Sequence, residues 1–161
     1  MATERHPESG RDETEQERVD RNLQEMLGEL RVALPGVQVL FAFLLVVPFN
    51  QRFGDVTSFQ KAVYFVTLMF TTASAMCLIA PSAHHRVEFR HQDKDNIVLT
   101  GNRIVIAGLA LLAVAMTGAV LFVTDVLYGG TTTCVVAVGV ALAFVVLWFA
   151  LPLRRLAAGR R

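Results

Sequence analysis

Long apolar runs alternate with short polar segments along most of the chain. The clearest runs are residues 62–80, 104–127 and 131–153, in which Asp125 is the single charged residue. At a rise of 1.5 Å per residue, about 20 residues cross the ~30 Å hydrocarbon core of a bilayer. Each run is therefore predicted to be a transmembrane helix, and the glycine pair between the last two runs predicts antiparallel neighbours.

The first span is less obvious, because residues 37–49 form a short apolar run that contains Gln38. Extending this run back to residue 30 gives the length that a bilayer requires, so residues 30–49 are predicted to be the first transmembrane helix. Pro35 predicts a bend within it, because proline removes a helical hydrogen bond. Arg31 would lie at the inner boundary and reach water.

The segment before this span has a different pattern. Through residues 14–34, apolar residues recur at helical spacing and charged residues occupy the other faces, which is typical of an amphipathic helix. The apolar positions are Val19, Leu23, Met26, Leu27, Leu30 and Leu34. Residues 1–13 are acidic and almost without apolar side chains, so we expect a disordered tail there.

The basic residues predict the orientation. Of the 15 Lys and Arg residues, all but Arg52 and Lys61 precede or begin the first span or lie in residues 81–103 and 154–161. The positive-inside rule therefore places both termini, the loop of residues 81–103 and the basic tail in the cytoplasm. The predicted fold is an all-α membrane protein of the bacterial inner membrane. It is an antiparallel bundle of four transmembrane helices, N-in and C-in, with an amphipathic cytoplasmic N-terminal helix.

The composition and motifs narrow the classes of protein that the chain is expected to belong to. With 53% hydrophobic and 18% charged residues, the chain is too apolar for an ordinary soluble domain. Basic residues form no tract with interleaved aromatic residues, so nucleic acid is not an expected partner. No hydrolase, metalloprotease, P-loop or dinucleotide motif occurs, and we expect neither enzyme activity nor a cofactor.

Small residues predict where the helices pack, since close backbone approach drives helix association in lipid. They form a stripe on the third span and a shorter one on the fourth: Gly101, Gly108, Ala115 and Ala119, then Ala137 and Ala141. The cysteines, Cys77 and Cys134, fall near opposite membrane faces, so we expect both to be free thiols.

Four polar residues within the predicted spans are candidates for a transport path or for polar packing: Gln38, Thr67, Thr71 and Asp125. The amide of Gln38 needs partners in lipid, which a carbonyl near Pro35 or a hydroxyl on the second helix can supply. The Thr67 and Thr71 hydroxyls can bond to their own helix or to a neighbour. Asp125, at the outer end of its span, is either a functional acid or an ordinary interface residue.

The loop between the second and third spans is chemically crowded. His84, Glu88 and His91 would share a face if the helix continued, and two imidazoles with a carboxylate can bind zinc. Their spacing matches no zinc signature, so no metal is predicted.

Charges on the cytoplasmic side suggest an interaction surface. Glu25 and Glu29 of the amphipathic helix are predicted to lie on the same side of the membrane as Arg86 and Arg90 of the loop. We expect the helix to fold against the loop as a cytoplasmic cap, which exposed ion pairs would orient rather than anchor.

Two stretches carry a resemblance to a known family: residues 22–53, NLQEMLGELRVALPGVQVLFAFLLVVPFNQRF, and residues 64–90, YFVTLMFTTASAMCLIAPSAHHRVEFR. They resemble small actinobacterial four-helix integral membrane proteins of unknown function, and the similarity covers nearly everything after the acidic tail. Some relatives carry a sodium:proton antiporter label, and the family implies no functional residues.

Two functions follow as hypotheses. The first is a non-enzymatic membrane module that binds partners or self-associates, its partners being the lipid bilayer and either other copies of the chain or another membrane protein. The second is a small cation or proton-coupled transporter, similar to a sodium:proton antiporter, that acts as a homo-oligomer.

Overall fold

The computed structural model describes residues 15–87, 94–151 and 154, and every regular element among them is helical. Side chains are described at residues 21, 24, 25, 27–83, 101–151 and 154. The long helices are α1 (Glu15–Val46), α2 (Ser58–Val87), α3 (Lys94–Leu127) and α4 (Gly130–Phe144). Short 3₁₀ turns at Val47–Phe49 and Gln51–Asp55 connect α1 to α2, and a π-helical stretch, Val145–Ala150, continues α4. The predicted acidic tail, residues 1–13, and residues 155–161 of the basic tail lie outside the described residues.

Four segments are long and apolar enough to cross a membrane: Leu27–Phe49, Ser58–Ala83, Gly101–Leu127 and Gly130–Ala150. Each contains one of the predicted spans or most of it. The prediction of an all-helical chain with four helices of membrane-spanning length and hydropathy is therefore confirmed.

The helices extend beyond the predicted spans. The helix α2 continues through Pro81 to Val87, and α3 begins at Lys94, inside the segment predicted to be a loop. Hydropathy marks the part of a helix that lies in lipid, whereas backbone hydrogen bonding continues into water. For the same reason, the predicted amphipathic segment and the first span belong to one continuous helix, α1, with Pro35 inside it.

The helices pack unequally. The main pair is α2 with α3, and α1 lies against both. Among the described residues, α4 contacts no long helix other than α3. The four helices therefore do not surround a common core, and α4 lies at one side of the other three.

Buried positions follow a seven-residue repeat on three helices. On α1 they are Leu30, Val37 and Leu44. On α2 they recur every three or four residues: Tyr64, Thr67, Thr71, Ser74, Leu78 and Pro81. On α3 the same spacing holds for Gly101, Val105, Gly108, Leu112 and Ala115, Phe122 follows seven residues later, and Ala113 is buried beside them. This spacing is typical of helices that cross at a shallow angle with interlocking side chains. Gly108 of the predicted α3 stripe packs directly against Cys77 and Leu78 of α2.

Candidate functional site

Thr67, Thr71 and Ser74 lie on the buried face of α2, and their hydroxyls are hydrogen-bonded within the protein. The Thr67 hydroxyl donates to the carbonyl of Val63 at 2.7 Å, and the Thr71 hydroxyl donates to the carbonyl of Thr67 at 2.8 Å. Both threonines are almost completely buried. The hydroxyl protons of these two candidate residues are therefore engaged by their own helix, as threonine in a transmembrane helix commonly is.

Ser74 makes the corresponding bond across the helix interface. Its hydroxyl donates to the carbonyl of Gly108 on α3 at 2.8 Å. Gly108 is packed so closely that a Cβ at this position would lie 2.9 Å from Cδ2 of Leu78 and 3.0 Å from Cβ of Cys77. The absence of a side chain at Gly108 thus brings the backbone of α3 within reach of the serine.

A second glycine of α3 lies against Thr67. A Cβ at Gly118 would overlap the Thr67 hydroxyl. The hydroxyl therefore occupies the space that a side chain at residue 118 would fill. The contact fixes the approach of the two helices at this level and leaves no passage between Thr67 and the backbone of α3.

Tyr64 joins α2 to α1. Its hydroxyl donates to the carbonyl of Leu44 at 3.0 Å, and its ring packs against Phe53 and Phe122 with centroid distances of 5.3 and 6.0 Å. Pro48, four residues after Leu44, has no N–H with which to make the usual helical bond to that carbonyl. Tyr64 was not among the predicted site residues, although Pro48 is the sequence signal for a carbonyl that needs another donor.

Asp125 is bound to the first turn of α2. Its Oδ2 accepts a hydrogen bond from Nε2 of Gln60 at 2.9 Å. Gln60 also accepts from the Thr57 N–H through Oε1 at 2.9 Å, and the Gln60 N–H donates to Oγ1 of Thr57 at 3.2 Å. These two reciprocal bonds form a capping box. The sequence signal, Thr57 followed three residues later by Gln60, predicts the cap but not the bond to α3.

Gln38 has a different environment. Its side chain is exposed on α1, and no hydrogen bond links it to any other described residue. It lies at the middle of the span Leu27–Phe49. The structure therefore does not place this amide against Pro35 or against a hydroxyl of α2, the partners suggested by the sequence.

The four intramembrane candidates do not converge on one site. Thr67 and Thr71 lie between α2 and α3, Asp125 bonds near the end of α3, and Gln38 is exposed on α1. Thr67 and Thr71 instead bond within α2, Asp125 bonds from α3 to α2, and the Gln38 amide bonds to no described residue.

The predicted cytoplasmic cap is only partly within the described residues. Glu25 and Glu29 are exposed on α1, and Glu25 lies 3.9 Å from the guanidinium of Arg21, one turn earlier. The backbone of Arg86 belongs to α2, but its side chain is not described, and Arg90 lies outside the described residues. An exposed ion pair such as Arg21–Glu25 contributes little to stability.

The loop after α2 is the one segment in which the sequence suggested metal ligands. Glu88 and His91 lie outside the described residues, as does the side chain of His84. Among the residues that the structure describes, no group of three or more His, Cys, Asp or Glu side chains could hold a metal ion. Cys77 and Cys134 are both free thiols.

Two open apolar grooves flank α3. One, of about 280 Å³, lies between α2 and α3, and the other, of about 440 Å³, lies between α3 and α4. They share Val114, Gly118 and Leu121 as lining residues. Thr67 and Thr117 are the hydroxyl-bearing residues that line them. Their hydroxyls donate to carbonyls of their own helices, so both grooves are apolar surfaces suited to acyl chains or to another helix.

Comparison with known proteins gives a family but no activity. No curated protein and no solved structure matches the chain. A family match extends over residues 12–152, which includes all four segments that are long and apolar enough to cross a membrane. The chain belongs to DUF6328, a family of unknown function.

Proposed function

We propose that this protein is a non-enzymatic multi-pass membrane module that acts by associating with partner proteins or with its own copies. The observation that carries the proposal is the unequal coverage of its spans. In an 18-residue apolar stretch of each span, 28% of the residues are buried within the chain for Ser58–Ala83 and Gly101–Leu127, but only 11% for Leu27–Phe49 and Gly130–Ala150. The outer helices α1 and α4 thus offer most of their surface to other molecules in the bilayer.

The proposed topology is an antiparallel arrangement in the cell membrane, with both termini in the cytoplasm. Support for antiparallel α2 and α3 comes from three contacts, in which the residue number falls along one helix as it rises along the other. They are Gln60 with Asp125, Thr67 with Gly118, and Ser74 with Gly108. The excess of Lys and Arg in the middle loop and at the C-terminus supports the cytoplasmic location of both ends.

The cytoplasmic face is proposed as a second working surface. Glu25 and Glu29 are exposed on the part of α1 that precedes or enters its span. Arg86 and Arg90 come after the span Ser58–Ala83 in the sequence. In the proposed topology this span returns the chain to the cytoplasmic side. In the proposed topology these opposite charges lie on one side of the membrane, where they can orient a partner.

Transport receives less support from the polar contacts. The hydroxyls of Thr67 and Thr71 donate hydrogen bonds to backbone carbonyls of α2, and Gly118 packs directly against Thr67. The described carboxylates within spans, Glu29 and Asp125, lie close to span ends rather than near the midplane. A proton-coupled carrier ordinarily needs an ionisable group in the interior of the membrane.

Proton flux in liposomes tests this proposal. We expect purified protein, reconstituted with an interior pH dye and challenged with Na⁺ or K⁺ gradients, to give no more flux than protein-free liposomes. The matched variant is Asp125→Asn, because an asparagine oxygen can still accept the hydrogen bond from Gln60. Saturable flux that Asp125→Asn abolishes would replace the association proposal with the transport hypothesis.

A further inference from the structure

Gln38 is a polar residue whose side chain lacks a hydrogen-bond partner among the described residues. Its amide is exposed at the middle of the span Leu27–Phe49, and no described residue bonds to it. Eleven residues separate it from either end of the span, which at 1.5 Å per residue is about 16 Å. A glutamine side chain is too short to reach water from that depth, and an unpaired amide in hydrocarbon is costly.

Among the residues that the structure describes, none offers a partner nearby. Pro35 frees the carbonyl of Arg31, which lies seven residues and about 10 Å along the helix from Gln38. The Thr67 and Thr71 hydroxyls are buried and already donate to their own helix. No described group therefore pairs with the amide, and a neighbouring molecule in the membrane can supply its partner.

A second copy supplies the missing group at the correct depth. We propose that two copies of this chain associate through the exposed face of α1, with the two Gln38 amides hydrogen-bonded to each other at the middle of the membrane. A primary amide carries both a donor and an acceptor, so two of them related by a two-fold axis can form two reciprocal bonds. All copies inserted in the same orientation hold Gln38 at the same depth, which a different partner would have to match by its own sequence.

The surface around Gln38 permits close approach. Ala42, one turn later, and Pro35, one turn earlier, are exposed and have small or compact side chains. Leu45, two turns later, is 45% exposed and adds apolar contact on the same face. Arg31 lies on this face too, but near the span end, where both copies can direct the guanidinium to water. A small residue beside a polar group is typical of helix interfaces in lipid.

This inference rests on the proposed function, since it gives the proposed association a partner and a surface. It is tested by disulfide crosslinking in liposomes, in a background with Cys77→Ala and Cys134→Ser. We expect Ala42→Cys, about 40° around α1 from Gln38, to form a disulfide-linked dimer under mild oxidation. The matched control is Phe43→Cys, also exposed on α1 but about 140° from Gln38. It should crosslink far less.

The amide itself is tested by Gln38→Leu and Gln38→Asn in the same background. Leucine is similar in volume and more apolar, so it keeps the span intact while removing both hydrogen bonds. We expect Gln38→Leu to weaken dimerisation, measured by Förster transfer at varied protein-to-lipid ratios, by about tenfold. Gln38→Asn, which keeps the amide on a shorter stem, should restore part of that loss.

The outcomes separate the inference from the broader proposal. Dimers that form equally well with Gln38→Leu, or that crosslink better through Phe43→Cys, would overturn the Gln38 interface while leaving self-association in place. Protein that stays monomeric at every ratio would overturn the inference, and association with other proteins would remain. Saturable, Asp125-dependent proton flux would overturn the proposed function, whatever the crosslinking pattern.

Discussion

At the scale of single residues, the bond between Tyr64 and Leu44 illustrates how proline chemistry determines a tertiary contact. The carbonyl of Leu44 lacks its helical donor because residue 48 is a proline, and the Tyr64 hydroxyl donates to it at 3.0 Å. In lipid no water can replace that donor. We therefore expect Tyr64→Phe to lower the free energy of unfolding by about 1–2 kcal/mol, since it leaves a buried carbonyl unpaired.

Unfolding of the purified protein by sodium dodecyl sulfate in mixed micelles, followed by far-UV circular dichroism, measures this loss. Phe65→Tyr is the matched control, because Phe65 is 58% exposed on the same helix and its ring lies outside the core. A Tyr64→Phe protein as stable as the wild type would show that the hydroxyl contributes nothing to the joining of α1 and α2.

At the scale of secondary-structure elements, the α2–α3 pair depends on glycines at positions where the helices touch. A Cβ at Gly118 would overlap the Thr67 hydroxyl, whereas Gly139 on α4 has nothing within 4 Å. We expect Gly118→Ala to destabilise the protein by about 1–3 kcal/mol, as overpacking of a tight interface does. Gly139→Ala should be neutral or slightly stabilising, because alanine is the better helix former.

The overlap in Gly118→Ala should be relieved by removing the group that it meets. In the double variant Gly118→Ala with Thr67→Ala, the new methyl group can occupy the volume of the lost hydroxyl. A double-mutant cycle in the same detergent titration should therefore give a favourable coupling of about 1 kcal/mol. Additive losses would mean that the two residues do not meet.

The elements show what hydropathy predicts and what it omits. The four spans were predictable, because lipid imposes a minimum apolar length on each crossing helix. The stripe of Gly108 and Ala115 was likewise predictable, since small residues at regular spacing mark close packing in lipid. The start of α3 at Lys94 was not, because a helix that continues into water carries no apolar signal.

The candidate site was less predictable than the spans. A threonine or an aspartate in a span has the same sequence signature whether it packs or functions, and only its partners decide. Thr67 bonds to its own helix and Asp125 bonds to Gln60, which favours packing for both. For Gln38 the sequence suggested internal partners, yet the side chain is exposed. Which face of α1 points inward depends on the packing of three helices and cannot be deduced from one.

At the scale of the whole molecule, the open arrangement follows from these unequal contacts. The seven-residue repeats of α1, α2 and α3 bury one face each, so each of these helices has a face covered by its neighbours. Among the described residues of α4, the buried ones are Thr133 and Ala137, and the helix contacts α3 alone. A monomer therefore leaves two sides of the molecule to the bilayer or to other proteins, which is consistent with a role in association.

The orientation of the whole molecule can be tested without relying on either terminus. Gly54, in the turn after α1, and Ala83, at the end of the span Ser58–Ala83, are both exposed and should lie on opposite sides of the membrane. In a background without native thiols, a membrane-impermeant maleimide added to intact cells should modify Gly54→Cys but not Ala83→Cys. Both should react after permeabilisation, which controls for access. The reverse pattern would mean that the basic loop after α2 faces outward, against the positive-inside rule, and that Glu25 and Glu29 cannot meet a cytoplasmic partner.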